Sequence, residues 1–195
     1  MSKKTNVVGT VFERYEKKYR LNEQQYHSLM EALGQWMEMD QYGLHTICTL
    51  YYDTDDFAVI RQCLTKPRFK EKLRLRSYGT PRADSIVYLE LKKKLAGITY
   101  KRRMAMRHTE ATDYMWWNQP PELQGQIFKE IDWYKSRNPL SGKAVICYDR
   151  IALFGKQDPQ FRVTIDATIR WRDYNLALDK GDGGALLLPR GERLM

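Results

Sequence analysis

From Lys70 to Arg76 the chain reads Lys-Glu-Lys-Leu-Arg-Leu-Arg, so a basic side chain recurs at every second position: Lys70, Lys72, Arg74 and Arg76. A period of two is the period of a β-strand, in which successive side chains point to opposite faces. Read as a strand, the segment sends its four cations to one face and Glu71, Leu73 and Leu75 to the other. The leucines mark that second face as buried. Stability alone explains the first face poorly, because like charges along one strand face repel. A polyanion lying across it would explain it.

The remaining chain supplies the sheet such a strand needs. Further strands are predicted at 12–21, 46–54, 86–94, 98–106, 144–154 and 161–171, with the basic strand itself covering 68–78. Gly79-Thr80-Pro81-Arg82 is a turn-rich link between the basic strand and its successor, as in an antiparallel hairpin. Asn22 followed by Glu23-Gln24-Gln25 reads as a capping-box start of a helix. Tyr26, Leu29, Met30, Leu33 and Met37 then form an apolar stripe expected in the core. Asp55 and Asp56 suit the first turn of a short helix carrying Phe57, Ile60 and Leu64. A longer helix is predicted from Pro120-Pro121 to about Arg137, with Leu123, Ile127, Ile131 and Tyr134 packing on the sheet, and 113–118 is read as a short turn. Strands outnumber helices and hairpin-length links dominate. The fold class is α+β, built on an antiparallel sheet or barrel.

With 195 residues and 43% hydrophobic content, the chain is long enough for one domain with a real core and cramped for two. Its 33 Lys and Arg against 24 Asp and Glu leave a formal charge of +9, which calls for an anionic partner: nucleic acid, a phosphate-rich metabolite or an acidic membrane surface. Cys48, Cys63 and Cys147 are scattered and form no metal-ligand spacing, as in a reduced cytosolic chain without structural zinc. His27, His45 and His108 are isolated, and none is expected to be catalytic. Neither a signal peptide nor an apolar window long enough to span a membrane is visible.

Several predicted strands share the property of the basic one. Arg14/Glu16/Lys18, Glu90/Lys92/Lys94, Tyr148/Arg150 and Arg162/Thr164/Asp166 lie opposite apolar residues such as Tyr15, Leu89, Leu91, Ile151, Val163 and Ile165. A sheet with one solvated face is the common explanation. The competing one is a barrel whose lumen is lined by these charges, with apolar residues packed outward against helices. Lys and Arg predominate in adjacent hairpin strands, and the acids Glu16, Glu90 and Asp166 occur singly among them, as they would if they held a metal bridging to phosphate oxygens. Arginine offers phosphate a planar bidentate fork and lysine a mobile point charge. Phosphoryl transfer needs chiefly positioning and charge neutralisation, which suits a chain without a histidine or cysteine centre.

The runs Arg14-Tyr15-Glu16-Lys17-Lys18-Tyr19, Tyr51-Tyr52-Asp53-Thr54, Lys72-Leu73-Arg74-Leu75-Arg76-Ser77-Tyr78-Gly79, Glu90-Leu91-Lys92-Lys93-Lys94 and Tyr148-Asp149-Arg150-Ile151-Ala152 occur in this order. Together they resemble the polyphosphate polymerase domain of the vacuolar transporter chaperone type, a branch of the triphosphate tunnel metalloenzymes (CYTH-like). The resemblance spans almost the entire chain and treats 1–195 as a single domain. It implies an antiparallel tunnel barrel with helices outside, in which the γ-phosphate of ATP passes to a growing polyphosphate chain with the help of Mn²⁺ or Mg²⁺. It implies catalytic roles for Arg74, Arg76, Lys92 and Arg150, and substrate contacts from Lys18, Lys72, Lys94, Lys101 and Tyr148. Glu16 and Glu90 would be acidic groups near the metal. For Lys101, a basic surface hairpin shared with Arg102 and Arg103 is the competing reading.

The expected partners are ATP and inorganic polyphosphate or triphosphate, not nucleic acid. The family's setting is cytoplasmic and admits a membrane-protein partner at the face of a membrane. Arg14 stands where the wider superfamily has its first acid, which disfavours a plain triphosphatase. The family's closing acidic strand follows a Leu-Met-like pair, and here Leu194-Met195 end the sequence, so that strand is expected to be lacking. A related tunnel hydrolase and a non-catalytic polyphosphate-binding module are the alternative functions.

Overall fold

A computed structural model of the chain describes residues 16–96, 98–122 and 124–195. The start of the predicted first strand, 12–15 with Arg14, therefore lies outside the described residues, and of its described part only Arg20–Leu21 is strand. Ten strands and four α-helices follow in the order β1 (Arg20–Leu21), α1 (Glu23–Gly34), β2 (Met37–Met39), β3 (His45–Asp53), α2 (Ala58–Leu64), β4 (Phe69–Tyr78), β5 (Ile86–Leu95), β6 (Ile98–Arg107), α3 (His108–Trp117), α4 (Gln126–Arg137), β7 (Ser141–Gly155), β8 (Arg162–Arg172), β9 (Ala185–Leu186) and β10 (Arg193–Leu194). They divide into two compact units. The first contains Leu50–Ser77 and Pro81–Lys143; the second contains Glu16–Thr49, Tyr78–Thr80 and Ala144–Met195.

In the first unit the end of β3 neighbours β4, and β4, β5 and β6 form an antiparallel meander with β6 at the edge. One face of the meander is the core. Leu73 and Leu75 of β4, Val87, Leu89 and Leu91 of β5, and Met104 and Met106 of β6 are buried there together with Ala111, Tyr114, Phe128 and Ile131 from α3 and α4. Burying each of these larger side chains contributes roughly 2 kcal/mol, so the apolar half of the alternating pattern is what fixes register. Asp53 closes the link into α2. Its Oδ1 accepts from the backbone N–H of Thr54 at 2.8 Å and of Val59 at 2.9 Å, and its Oδ2 from Ile60 at 2.9 Å. The Asp of Tyr-Tyr-Asp-Thr is thus a helix cap, satisfying N–H groups that helix geometry leaves without partners.

In the second unit β1 pairs β10, β10 pairs β8, β8 pairs β7 and β7 neighbours the start of β3, while β2 adds to β7 and β9 to β8. Ile47, Cys48, Val145, Cys147, Leu153, Ile165, Ile169 and Leu178 form its buried core. The capping box at α1 is as predicted: Asn22 Oδ1 accepts from Gln25 N at 2.8 Å, and Asn22 N donates to the Gln25 side chain at 2.9 Å. Its stripe is not core, however. No residue of α1 is buried, and Met37, the buried member of the predicted stripe, begins β2 instead.

The predicted class is α+β, an antiparallel barrel with helices packed outside; the antiparallel sheet and its helices are found, and neither unit closes a barrel by itself. Two helix predictions are corrected. The predicted turn at 113–118 is the second half of α3, started by Glu110, whose carboxylate accepts from Arg107 N at 2.8 Å, and buried through Ala111, Tyr114 and Met115. The helix expected from Pro120 begins only at Gln126, with Gly125 as its cap. Among the described residues no helix is long and apolar enough to cross a membrane.

Candidate functional site

Directly paired residues of antiparallel strands project from the same face. The register across β4, β5 and β6 therefore builds rows: Lys70, Lys94 and Thr99; Lys72, Lys92 and Lys101; Arg74, Glu90 and Arg103; Arg76, Tyr88 and Ala105. These rows put eight cations and one acid on the face opposite the core. At about 3.4 Å per residue, the distance from Lys70 to Arg76 is roughly 20 Å.

Glu90 is the centre of this face and is completely buried. Arg74 donates to its Oε2 from both Nε and Nη2, each at 2.8 Å, and Arg76 Nε lies 3.9 Å from the same oxygen. Its Oε1 accepts from Arg103 Nε at 2.7 Å and Lys101 Nζ at 2.9 Å. Burial pushes the carboxyl pKa up, but the charges of Arg76, Arg74 and Lys101 outweigh burial and hold it at about 2. The Lys101 pKa is lowered as well, here because burial prevails: it disfavours the ammonium, and Glu90 only partly compensates because Arg103 and Arg76 add like charge. Tyrosines brace the arginines. Tyr51 Oη accepts from Arg74 Nη1 at 3.3 Å, and the Arg103 guanidinium lies 4.1 Å from the centre of the Tyr88 ring.

The second unit carries its own charged group. Arg150 grips Asp166 with a two-pronged pair, Nε to Oδ1 at 2.6 Å and Nη2 to Oδ2 at 2.8 Å, and its guanidinium stands 5.0 Å from the Tyr148 ring centre. Burial disfavours the charged Arg150, yet the bond to Asp166 prevails and raises its pKa. Lys18 and Glu16 form an exposed pair at 3.5 Å.

Of the residues singled out in the sequence, Arg74, Arg76, Lys101 and Glu90 converge on one carboxylate, and Lys72, Lys92 and Lys94 lie in neighbouring rows of the same face. Arg150, Tyr148, Lys18 and Glu16 belong to the other unit. Three participants have no site role in the sequence reading: Arg103, which appears there only in a basic hairpin, Tyr51, only in a motif, and Tyr88. Arg102 and Arg103 look equivalent in sequence, but strand alternation separates them. Arg103 meets Glu90, whereas Arg102 reaches Glu130 of α4 at 3.2 Å on the core side. Period two counted onward from Lys101 was the signal available.

The donor set does not fit a divalent ion. Among the described residues no group of three or more His, Cys, Asp or Glu side chains stands together to hold one. Both oxygens of Glu90 accept from arginine or lysine, and both oxygens of Asp166 accept from Arg150.

The family model described as VTC domain matches residues 13–194. No curated protein matches the chain. A solved structure from Bacillus halodurans, described as a candidate adenylate cyclase, is similar in fold with a TM-score of 0.57 at 14% identity, covering 96% of this chain and 79% of that one. A second such protein, from Vibrio parahaemolyticus, aligns with a TM-score of 0.42 at 13% identity over 80% of this chain and 70% of that one.

Proposed function

We propose that this chain, which belongs to the VTC domain family, is an ATP-dependent polyphosphate polymerase built on a triphosphate tunnel domain. The observation that carries the reading is the cation face of β4, β5 and β6, with Arg74, Arg76, Lys101 and Arg103 gathered about Glu90 and Lys72, Lys92, Lys70 and Lys94 continuing the face along the strands. At roughly 20 Å it is long enough for an extended polyanion.

In the proposed reaction an oxygen of a phosphate or polyphosphate end attacks the γ-phosphorus of ATP. The new P–O bond forms as the bond to the β-phosphate oxygen breaks, and ADP leaves with that electron pair. Arg74, Arg76 and Lys92 would hold the triphosphate and neutralise charge on the transferring group, where fixed donors act without reorganising. Lys72, Lys94 and Lys101 would hold the product chain. In the second unit Arg150, backed by Tyr148, and Lys18 are proposed as phosphate-binding residues. A dependence on Mn²⁺ or Mg²⁺ is carried from the family, with Glu16 as its proposed acidic residue; Glu90, expected beside it, has both oxygens taken by arginine and lysine, and no step is routed through the ion.

The test is incubation with ATP and Mn²⁺ or Mg²⁺, followed by gel analysis for polymer and assay of free phosphate. Long polyphosphate with stoichiometric ADP is the expected outcome. Free phosphate without polymer would mark a hydrolase, and polyphosphate binding with neither product a binding module.

A further inference from the structure

We infer that Glu90 positions the phosphate-binding cations of the first unit instead of ligating a metal, and that Arg103, which it holds, contacts the triphosphate. The inference rests on the proposed triphosphate-binding role of this face and concerns the one acid within it.

The acceptor capacity of Glu90 is already used. A carboxylate offers about four lone-pair sites. Four N–H donors stand within 2.9 Å: Nε and Nη2 of Arg74, Nε of Arg103 and Nζ of Lys101. A divalent ion would need one of those oxygens at about 2.1 Å. It would then sit beside several positive charges, each repelling it by several kcal/mol at the dielectric of a partly buried site. No other acid occurs in the rows of β4, β5 and β6 to share the ion.

The same geometry explains what Glu90 does. Arg74 and Arg103 are its direct partners on the two neighbouring strands, so backbone pairing sets which arginines it holds. Each presents its Nε edge to the carboxylate, which fixes the plane of the guanidinium, and Tyr51 and Tyr88 brace the same two groups. Without a counter-charge the cations would spread apart. With it they form a fixed array, and a fixed array distinguishes ligands by shape as well as by charge. Arg103 joins the set by the same criteria as Arg74: same row, same carboxylate, an aromatic or phenolic brace.

The readout must be insensitive to the change of net charge that a Glu90 substitution brings. The ratio of affinities for tripolyphosphate and citrate, titrated calorimetrically in EDTA, meets that need because added positive charge favours both anions. Manganese binding is read separately, by electron paramagnetic resonance with tripolyphosphate present. In Glu90→Gln the ratio should fall about tenfold, the equivalent of losing one charge-assisted hydrogen bond's worth of positioning. Its Mn²⁺ affinity should stay within about threefold of the wild type, since no ligand is lost. An unchanged ratio, or a Mn²⁺ affinity weakened about tenfold or more, overturns the inference.

Should Glu90→Gln fail to fold, Arg103→Lys reads the same property, because it keeps the charge and removes the planar Nε donor. The ratio must fall there too, and an unchanged ratio overturns the inference. Neither measurement involves turnover. A protein that selects tripolyphosphate through Glu90 but forms no polymer would refute the polymerase reading and leave this inference standing.

Discussion

Arg74 and Glu90 are directly opposite each other on β4 and β5, and Arg74 places two donors, Nε and Nη2, on the same carboxylate oxygen at 2.8 Å. The other oxygen is thereby left to Arg103 and Lys101. One buried acid on β5 thus organises cations from the two strands that flank it, β4 and β6.

This arrangement has a pH consequence. The folded-state pKa of Glu90 lies at about 2, below its ordinary value of 4.5, so its contribution to stability is fully present above about pH 4.5 and is lost as pH falls toward 2. The shift corresponds to about 3 kcal/mol. Urea melts between pH 6 and 2 should show stability falling most steeply below pH 4.5, and the Glu90→Gln variant should lose that part of the acid dependence. A variant as acid-sensitive as the wild type would show that the carboxylate carries no such stabilisation.

Neighbouring arginines should behave as opposites. Arg103→Ala removes a partner of Glu90 on the cation face and should weaken tripolyphosphate binding about tenfold. Arg102→Ala removes a half-buried pair with Glu130 on the core side and should change binding less than about twofold, with stability lowered by about 1 kcal/mol or less. Equal effects on binding would contradict the register of β6.

Leu73→Ala and Leu91→Ala address the other face of the same strands. Both leucines are fully buried, are directly paired across β4 and β5, and face away from the cations. Each substitution should cost about 2–5 kcal/mol in chemical denaturation, with tripolyphosphate affinity retained by the folded fraction. Loss of affinity without loss of stability would contradict the assignment of faces.

Asp53→Ala tests the structural reading of Tyr-Tyr-Asp-Thr. Three backbone N–H groups lose their acceptor, two of them at the start of α2. A loss of about 1–2 kcal/mol is expected, with tripolyphosphate binding unchanged.

The meander was legible because both halves of its pattern are extreme. Leucine and methionine on one face and lysine and arginine on the other leave one register for Leu73, Leu89 and Leu91 to be buried together. The partners of Glu90 were only partly legible. Period two within a strand groups Lys101 with Arg103, but which row of β6 lies beside Glu90 depends on pairing across strands that sequence alone does not state. Tyr51 was visible as a motif residue and Tyr88 not at all, since a tyrosine two residues before Glu90 looks like any half-buried strand residue. The helix α3 was missed for a local reason: its start is capped by Glu110 acting back on Arg107 N, without a Ser, Thr, Asp or Asn at the cap to announce it.

The claim that the β4–β6 face is a triphosphate site is tested most directly by calorimetric titration of tripolyphosphate, in EDTA, onto wild type and Arg74→Ala. Glu90 retains Arg76, Lys101 and Arg103 in the variant, so the fold should persist, as circular dichroism would verify. Saturable binding to the wild type, weakened by added salt and lowered at least about tenfold in Arg74→Ala, is the result this account predicts. Equal affinity in the two folded proteins would contradict it.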